Sequence, residues 1–331
     1  MNKCRFFSVI LFLVFFLFLP LGANGETGLT SCSMIPLWSP QAQFAGYYVA
    51  LEKGFYRKHG INMTILRGGP ACSGCEYLKD GRADFAILWL TTAIRQCGEE
   101  LQLVHLSQII PRSSMMLVAK KSMNIRKASD MNGKKVGLWG GDLAIPPHAF
   151  FKKYGLQVKE IPQSYTVNLF LRGGVDIASA MWYNEYHTIM NAGMDPDELT
   201  IFILSDHGLN FPEDGLYCME DTFKENPTLC CNFAEASIAG WRYAFAHPEE
   251  ALDIVMGYMS GAKIATNRAH QRWMLSRMKD IILPSDAGAN IGLLKEGQYY
   301  QVAQELKRNG FIDRIPGFPE IYRDCGTHAQ E

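Results

Sequence analysis

The sequence predicts an α/β protein whose two lobes face each other across a cleft. Three observations predict this fold: an apolar leader typical of exported proteins, a β-α-β-α-β unit that occurs twice, and a helical C-terminal third. The 331 residues carry a formal net charge of −1, with 20% charged and 48% hydrophobic side chains. This composition suits a globular chain long enough for two domains, and the near-zero charge gives no basic surface for nucleic acid.

The first 25 residues have the features of a secretory signal peptide. The basic start MNKCR precedes an apolar run over residues 6–21, and the small residues ANG follow at 23–25. We therefore expect cleavage after Gly25 and export of the mature chain. Two alternatives stay open. The leader could persist as a membrane anchor, or Cys32 could carry a lipid, since LTSC (29–32) resembles a bacterial lipobox.

Eight cysteines follow the predicted cleavage point, and an even number in an exported protein permits disulfides. Cys72-x-x-Cys75 is the candidate pair, and we favour a structural role, as a loop disulfide or as buried thiols, over a redox or metal site. A tetrahedral zinc site would need a second spaced pair, whereas Cys230 and Cys231 are adjacent. The cysteines therefore predict a disulfide or buried thiols and no metal.

One eight-residue phrase occurs twice, as YRKHGINM (56–63) and as FKKYGLQV (151–158). Each copy follows an apolar run that ends at a tryptophan. Each also precedes a G-x-x-D element and a further apolar run that ends at a tryptophan. The parallel predicts two β-α-β-α-β units, each a parallel sheet covered by helices with right-handed crossovers.

Each unit is expected to open with one strand and one helix. The helices are predicted over about 44–59 and 147–154. Gly60 and Gly155 fit the glycine that ends a helix in the left-handed conformation. Each copy of the phrase therefore contains the end of a helix and the start of the second strand of its unit.

The rest of the chain does not repeat. Residues 113–121 predict a strand that passes between the lobes, and 215–219 predict a return strand. From residue 226 onward the apolar spacing is helical. We predict that residues 26–118 and 213–331 form lobe 1, with the C-terminal helices packed on it, and that residues 119–212 form lobe 2.

Ligands of open α/β sheets bind at the carboxyl ends of the strands. Facing lobes would therefore bring four strand-end tryptophans to one cleft. A single tryptophan at such a place is more often core packing, but four at matching positions favour a shared cleft. Aromatic faces at such a place suit stacking on a flat ligand. The predicted ligand-binding residues are Trp38, Gln41, Tyr47, Gly68, Gly69, Pro70, Trp89, Ser113, Trp139, Gly140, Gly141, Asp142, Trp182, Tyr183, Asn184 and Glu185.

This set favours a neutral or amino-bearing ring. Asp142 or Glu185 could accept a hydrogen bond from an exocyclic amine, although each could also be a solvated rim charge. The glycine loops at 68–69 and 140–141 could present backbone N–H groups. A sulfonate or nitrate site would need more donors. The sequence has no phosphate-binding glycine motif and no H-x-x-x-H or H-E-x-x-H pattern, so we predict no catalytic residue, cofactor or metal.

Four blocks of the sequence carry a family resemblance: WSPQAQFAGYYVALEKGFYRKHGINMTILRGGP (38–70), MNGKKVGLWGG (131–141), GGVDIASA (173–180) and the helical stretch 226–255. They resemble periplasmic substrate-binding proteins of ABC transporters, in the group of thiamine-pyrimidine-synthase-like and taurine/nitrate/sulfonate-type (SsuA/THI5-like) proteins. The resemblance implies a type II periplasmic-binding-protein fold with a hinge. It also implies capture of a small heteroaromatic solute, such as a thiamine pyrimidine precursor, and delivery to an ABC permease. We expect a monomer that meets the membrane only through the permease or a lipid anchor.

The same family includes a synthase that makes the thiamine pyrimidine from pyridoxal phosphate and its own histidine. By resemblance, its Lys-x-x-x-His stretch falls on Leu88 and Thr92 here, and a leucine cannot form a Schiff base. The cysteine run of the synthase is also missing before Cys218. We therefore expect a binding protein and not an enzyme. A ligand-sensing domain that uses the same cleft remains an alternative.

Overall fold

The computed structural model describes residues 28–265, 267–284 and 291–326. The expected signal peptide, residues 1–25, lies outside these ranges. Among the helices so described, none combines the length and the apolar character needed to cross a bilayer.

The described residues contain ten strands, arranged in two five-stranded sheets. In chain order the strands are β1 (Thr30–Ile35), β2 (Ile61–Ile65), β3 (Phe85–Trp89), β4 (Leu103–Gln108), β5 (Met115–Lys120), β6 (Lys135–Leu138), β7 (Lys159–Pro162), β8 (Ile177–Met181), β9 (Leu199–Ile203) and β10 (Asp214–Met219). The first sheet has the order β2-β1-β3-β10-β4, and the second has the order β7-β6-β8-β5-β9.

Helices cover the sheets and dominate the C-terminal third. They are α1 (Ala45–Glu52), α2 (Phe55–Lys58), α3 (Gly74–Lys79), α4 (Leu90–Gly98), α5 (Ile145–Tyr154), α6 (Asn168–Leu171), α7 (Glu185–Asn191), α8 (Glu220–Glu225), α9 (Pro227–Ala246), α10 (Pro248–Gly261), α11 (Arg268–Ile282), α12 (Glu296–Arg308) and α13 (Phe318–Ile321). Short 3-10 helices lie at Ala42–Phe44, Lys121–Met123, Ala128–Met131, Gly141–Ala144, Pro196–Glu198 and Leu204–His207.

The two predicted β-α-β-α-β units are confirmed. Strands β1, β2 and β3 pair in parallel in the first sheet, as β6, β7 and β8 do in the second. Each sheet then adds one antiparallel strand beside the third strand of its unit: β10 beside β3, and β5 beside β8. We call the body around the first sheet lobe 1 and the body around the second sheet lobe 2.

The chain passes between the two lobes twice. The first strand after the first passage is β5, which joins the second sheet, and the first strand after the return is β10, which joins the first sheet. Strand β5 pairs with β8 and β9, so the chain has already entered lobe 2 at Met115. We accordingly propose that the first crossing precedes Met115, a few residues before the boundary at residue 118 that the sequence suggested. The return strand β10 pairs with β3 and β4 in lobe 1.

The repeated phrase ends a helix in both units, as predicted. Gly60 and Gly155 have φ angles of 78° and 61°, which favour glycine because no Cβ is present to clash. The single helix predicted over 44–59 is wrong in one respect. Gly54, with φ of 71°, interrupts it, so α1 ends at Glu52 and α2 begins at Phe55.

Helices α1 and α9 pack closely against each other. A Cβ added to Gly240 would overlap the carbonyl oxygen of Gly46, and one added to Gly46 would overlap the indole of Trp241. Trp241 is fully buried and meets the Tyr47 ring edge-on, with 5.7 Å between centroids. Two glycines thus allow the C-terminal helices to sit directly on lobe 1.

The predicted Cys72–Cys75 disulfide is wrong, because both thiols are free. The Cys72 thiol points to the carbonyl of Arg67 at 3.7 Å, while Cys75 is buried at the start of α3. The structure instead joins Cys231 in α9 to Cys325 beyond α13. The bridge ties the last part of the described chain to the long helix of lobe 1.

The thiol of Cys32 bears on the alternative that this residue carries a lipid. It is buried within β1, and that strand pairs with β2 and β3. Burial raises the pKa of this thiol to about 11. A lipid at this position would have to displace the strand, so the structure argues against it.

We predict that Gly240→Ala destabilises the protein by about 1–3 kcal/mol, because the added methyl group would push α9 away from α1. Gly257→Ala is the matched control, since Gly257 lies in the exposed middle of α10 with open space around it. This control should be neutral or stabilising by about 0.5–1 kcal/mol. Chemical denaturation of both variants measures the difference, and equal stabilities would contradict the packing described here.

We also predict that Cys231→Ser lowers the free energy of unfolding by about 2–4 kcal/mol under oxidising conditions. The bridge closes a loop with a sequence separation of 94, and its loss frees the unfolded chain. Cys72→Ser should leave stability unchanged because Cys72 is free. Peptide mapping of the alkylated protein tests the pairing, and a Cys72–Cys75 peptide would contradict it.

Candidate ligand-binding cleft

A cavity of about 60 Å³ lies between the two sheets, at the carboxyl ends of the parallel strands. Both lobes contribute to its walls, as expected for an open α/β architecture. Lobe 1 supplies Leu37, Trp38, Gln41, Gln43 and Trp89. Lobe 2 supplies Trp139, Leu143, Tyr165, Met181, Tyr183, Asn184 and Glu185.

Aromatic rings form much of this wall. Trp38 of lobe 1 meets Tyr165 of lobe 2 edge-on, with 4.5 Å between ring centroids. Trp89 and Trp139 are almost fully buried, and each indole N–H has a partner that fixes its orientation. Trp89 donates to Asp214 at 3.1 Å, and Trp139 donates to the carbonyl of Ser164 at 3.3 Å.

Glu185 is a buried carboxyl group in the wall of the cavity. Its Oε2 accepts from the backbone N–H of Met181 at 3.0 Å, and its Oε1 accepts from Nδ2 of Asn184 at 2.8 Å. Burial raises the pKa of Glu185 to about 7 because the charged form loses its hydration.

A second buried carboxyl group, Asp214, lies behind the lobe 1 wall. It accepts from Nε2 of Gln43 at 3.0 Å and from the indole of Trp89. Burial raises the pKa of Asp214 to about 7. Since Gln43 and Trp89 both line the cavity, Asp214 sets the orientation of two wall residues.

Glu213 is the third buried carboxyl group and belongs to the crossing between the lobes. It accepts from the backbone N–H of Ser114 at 2.5 Å and from the hydroxyl of Ser113 at 3.2 Å. Burial is the main cause that raises the pKa of Glu213 to about 8. The Tyr183 phenol, buried in the wall, has its pKa raised by burial and by the nearby Glu213, Asp214 and Glu185.

Further contacts join the lobes beside the cavity. Arg95 of α4 pairs with Asp142 of lobe 2, with 2.8 Å between Nε and Oδ1. His187 of α7 and His270 of α11 lie 2.9 Å apart at their Nδ1 atoms, and Nε2 of His270 meets Oδ1 of Asn184 at 2.9 Å. The C-terminal helix α11 therefore contacts both lobes, where the sequence had placed it on lobe 1 alone.

Seven of the sixteen predicted binding residues line the cavity: Trp38, Gln41, Trp89, Trp139, Tyr183, Asn184 and Glu185. Trp182 does not, although it directly follows β8 as Trp139 directly follows β6. The guanidinium carbon of Arg277 lies 4.9 Å from the centroid of the Trp182 ring. The indole N–H of Trp273 donates to the backbone carbonyl of Trp182. The expectation that all four tryptophans face one cleft is wrong for Trp182.

The other predicted residues lie outside the cavity wall for identifiable reasons. Tyr47 is fully buried against Trp241, and Asp142 is paired with Arg95. Ser113 binds Glu213 at the crossing. Gly68 lies so close to the carbonyls of Pro36 and Trp38 that it has no room for a side chain. Gly69, Pro70 and Gly140 belong to adjoining loops, Gly141 begins a 3-10 helix, and none of the four is among the lining residues.

Sequence reasoning missed Gln43, Tyr165 and Asp214. Gln43 stands in SPQAQ and Asp214 in PEDGLY, and both segments flank predicted strands. Asp214 directly precedes the return strand that the sequence predicts at 215–219, and this position could have indicated that its side chain lies near the cavity. The antiparallel pairing that sets it opposite Trp89 could not be inferred from sequence spacing.

The sequence is similar to a known family and to named binding proteins. A model of the NMT1/THI5-like family matches residues 41–251. The riboflavin-binding protein RibY of Chloroflexus aurantiacus is 23% identical over 251 residues, 73% of this chain and 70% of that protein. A formylaminopyrimidine-binding protein of Halalkalibacterium halodurans is 21% identical over 247 residues, 71% of this chain and 72% of that protein.

The structure also resembles a solved binding protein. The periplasmic aliphatic sulphonate-binding protein SsuA of Escherichia coli aligns with a TM-score of 0.67 and 13% identity, over 89% of this chain and 92% of that one. This similarity confirms the predicted periplasmic-binding-protein fold.

We predict that the unliganded protein loses stability as the pH rises from about 5 to 9. The folded-state pKa of Glu213 lies above its ordinary value, so the folded state binds the proton more tightly than the unfolded state does. This stabilisation is present below about pH 4 and is lost as the pH rises through about 8.

The variant Glu213→Gln removes this titration and keeps an oxygen acceptor for Ser114. Its melting temperature should fall less than that of the wild type between pH 5 and 9, by about 2–4 °C or more. Glu225→Gln, on the exposed surface of α8, should follow the wild type. Differential scanning fluorimetry between pH 5 and 9 measures the melting temperatures. If the melting temperature of Glu213→Gln falls with pH as steeply as that of the wild type, Glu213 is not the titrating group.

Proposed function

Because the chain belongs to the NMT1/THI5-like family, we propose that it is a solute-binding protein that captures a small heteroaromatic molecule between its lobes and delivers it to an ABC importer. A thiamine pyrimidine precursor, or a ring of similar size, is the proposed solute. The observation that carries the proposal is the cavity walled by Trp38 and Trp89 of lobe 1 and by Trp139 of lobe 2. Indoles from both lobes offer stacking surfaces to one flat molecule.

The proposed mechanism is closure of the lobes around the solute. A ligand that touches both walls stabilises the closed arrangement over an open one by the difference in its contacts. Two contacts already reach across the opening: Trp38 meets Tyr165, and Arg95 pairs with Asp142. These contacts would hold the closed state, and their rupture would accompany release at the permease.

The size of the cavity bears on how a solute reaches it. A volume of about 60 Å³ has room for about four water molecules, which is less than a substituted ring requires. Tyr165 is 53% exposed and lies over Trp38 at the edge of the cavity. We propose that this tyrosine moves outward, together with a small separation of the lobes, when the solute binds.

The named relatives support a ring-shaped solute. One carries the name of a riboflavin-binding protein and another that of a formylaminopyrimidine-binding protein. The position that resembles the lysine of the pyrimidine synthase is Leu88, which is buried in β3 with its side chain toward Gly74 of α3. We therefore propose binding and not synthesis.

Export to the periplasm is part of the same proposal. It rests on the apolar leader of the sequence and on the likeness to periplasmic binding proteins. The proposed partner is the permease of the importer, and the protein is proposed to act as a monomer.

We predict that an aromatic heterocycle raises the melting temperature of the full chain and that taurine and nitrate do not. The panel contains 4-amino-5-hydroxymethyl-2-methylpyrimidine, thiamine, riboflavin, taurine and nitrate. Trp139→Leu should weaken binding of the stabilising ring by about tenfold or more, because it removes a stacking face. Trp182→Leu is the matched control, since Trp182 lies outside the cavity wall. If no ring compound stabilises the protein, the proposal fails.

A further inference from the structure

A second cavity lies on the surface of lobe 1, apart from the cleft between the lobes. It is an open groove of about 590 Å³, bounded by α1, by α10 and by the chain that leaves β2. Among the described residues, the groove and the cleft cavity share no lining residue. A volume of this size lies in the range of small-molecule sites, whereas the cleft cavity has only about 60 Å³. The groove is therefore a candidate for a separate ligand.

Apolar side chains make up much of the groove. The ring of Tyr258, from α10, stacks on that of Tyr48, from α1, with 4.2 Å between centroids. The hydroxyl of Tyr258 donates to Glu52 at 2.7 Å, which holds the stacked pair in place. Such surfaces pack favourably against the hydrocarbon part of a ligand. The aliphatic residues beside them are Pro40, Ile65, Leu66 and Ile254.

The hydroxyl of Tyr48 is a hydrogen-bonding group without a partner. Tyr48 is 2% exposed and lines the groove. In the described part of the chain its hydroxyl makes no hydrogen bond, and burial alone raises the pKa of this phenol. Protein atoms do not enclose the oxygen completely, so it reaches the surface at the groove. Because most buried polar groups are hydrogen-bonded, a ligand in the groove would supply the missing partner.

Arg67 adds an unpaired cation to the groove. It follows β2 and is exposed, and within the described ranges its guanidinium forms neither an ion pair nor a hydrogen bond. Its backbone carbonyl, by contrast, accepts from the thiol of Cys72 at 3.7 Å. A guanidinium can donate two parallel hydrogen bonds to one carboxylate. The groove therefore contains two donors, Arg67 and Tyr48, that await an acceptor.

The carboxylates of the groove leave the Arg67 end positive. Asp253 pairs with Arg268, and Glu52 accepts from Tyr258. Helix α1 connects the parallel strands β1 and β2, so it runs back from their carboxyl ends. Glu52 is the last residue of α1, whereas Arg67 lies beyond the carboxyl end of β2. The free cation and the carboxylate of Glu52 are therefore at opposite ends of the groove.

Two glycines leave the α10 side of the groove open. Gly257 and Gly261 lie about one turn apart on one face of α10, and a Cβ added to either would meet no atom within 4 Å. Neither has a positive φ, so the backbone does not require glycine there. Glycine inside a helix lowers stability relative to alanine. A ligand chain lying against α10 would explain both positions, because side chains there would occupy its space.

We infer that the groove binds an amphiphilic carboxylate, such as a medium-chain fatty acid. The carboxylate accepts from Arg67 and Tyr48, and the hydrocarbon chain runs along α10 past Gly257. One unpaired guanidinium matches a ligand with one negative charge. Since the groove is separate from the cleft, this inference does not depend on the function proposed above.

Isothermal titration calorimetry of the full chain with three probes tests the inference. The probes are octanoate, 1-octanol and octylamine, which share one hydrocarbon chain and differ in the charge of the head group. We expect octanoate to bind about tenfold or more tightly than either of the others, because hydrogen bonds between charged groups are the stronger ones.

Four variants locate the binding. Arg67→Gln should weaken octanoate binding by about tenfold or more, and Tyr48→Phe by about threefold or more. Gly257→Leu should abolish it, since the new side chain fills the groove. Arg57→Gln is the matched control and should keep the wild-type affinity, because Arg57 is an exposed arginine of α2 outside the groove. Trp139→Leu should also keep it, because this change alters the cleft cavity alone.

The outcomes decide the inference independently of the cleft. Absence of octanoate binding, equal binding of octanoate and 1-octanol, or an unchanged affinity in Arg67→Gln overturns it. Octanoate binding that survives in Gly257→Leu but is lost in Trp139→Leu would place the ligand in the cleft, and the inference would fail. A protein that binds octanoate but no heteroaromatic ring would retain the groove site and lose the proposed function.

Discussion

A buried carboxyl group and a buried amide hold together the two stretches of chain that pass between the lobes. The carboxyl group of Glu213 accepts from Ser113 and Ser114. Nε2 of Gln108 donates to the carbonyls of Ile110, Glu213 and Asp214. The outgoing and returning segments are thereby bound side by side, although about 100 residues separate them along the chain. Because Gln108 and Glu213 are both buried, these hydrogen bonds are made away from competing water.

This junction decides where the functional groups lie. After the junction, β5 pairs antiparallel with β8 in the second sheet and β10 pairs antiparallel with β3 in the first sheet. Both β3 and β8 end beside the cavity. The pairing of β10 with β3 sets Asp214 opposite Trp89, which brings a carboxylate to an indole N–H. The electrostatic character of the cavity thus follows from the topology of the crossings as well as from the lining residues.

The repeated phrase was enough to predict the three parallel strands of each sheet, since helix ends, strand ends and glycine conformations follow from local sequence. The edge strands β4 and β9 were not predicted. The residues placed wrongly are those whose neighbours come from distant parts of the chain. Trp182 lies beside Arg277, and Tyr47 lies beside Trp241, both from the C-terminal helices. The disulfide also joins distant parts of the chain. Cys231 is bonded to Cys325, whereas Cys72 and Cys75, which are close in sequence, are both free. Asp214 and Gln43 were missed for the same reason, because only the sheet register brings them together.

The separation of Trp182 from the other strand-end tryptophans has a spectroscopic consequence. The chain has six tryptophans, and Trp38, Trp89 and Trp139 line the cavity. Trp182 and Trp273 flank the Arg277 guanidinium instead, and Trp241 is buried beneath α1. The intrinsic fluorescence of the protein therefore combines three indoles that line the cavity with three that lie elsewhere. Removing the second group by substitution would leave an emission signal that reports on the cavity alone.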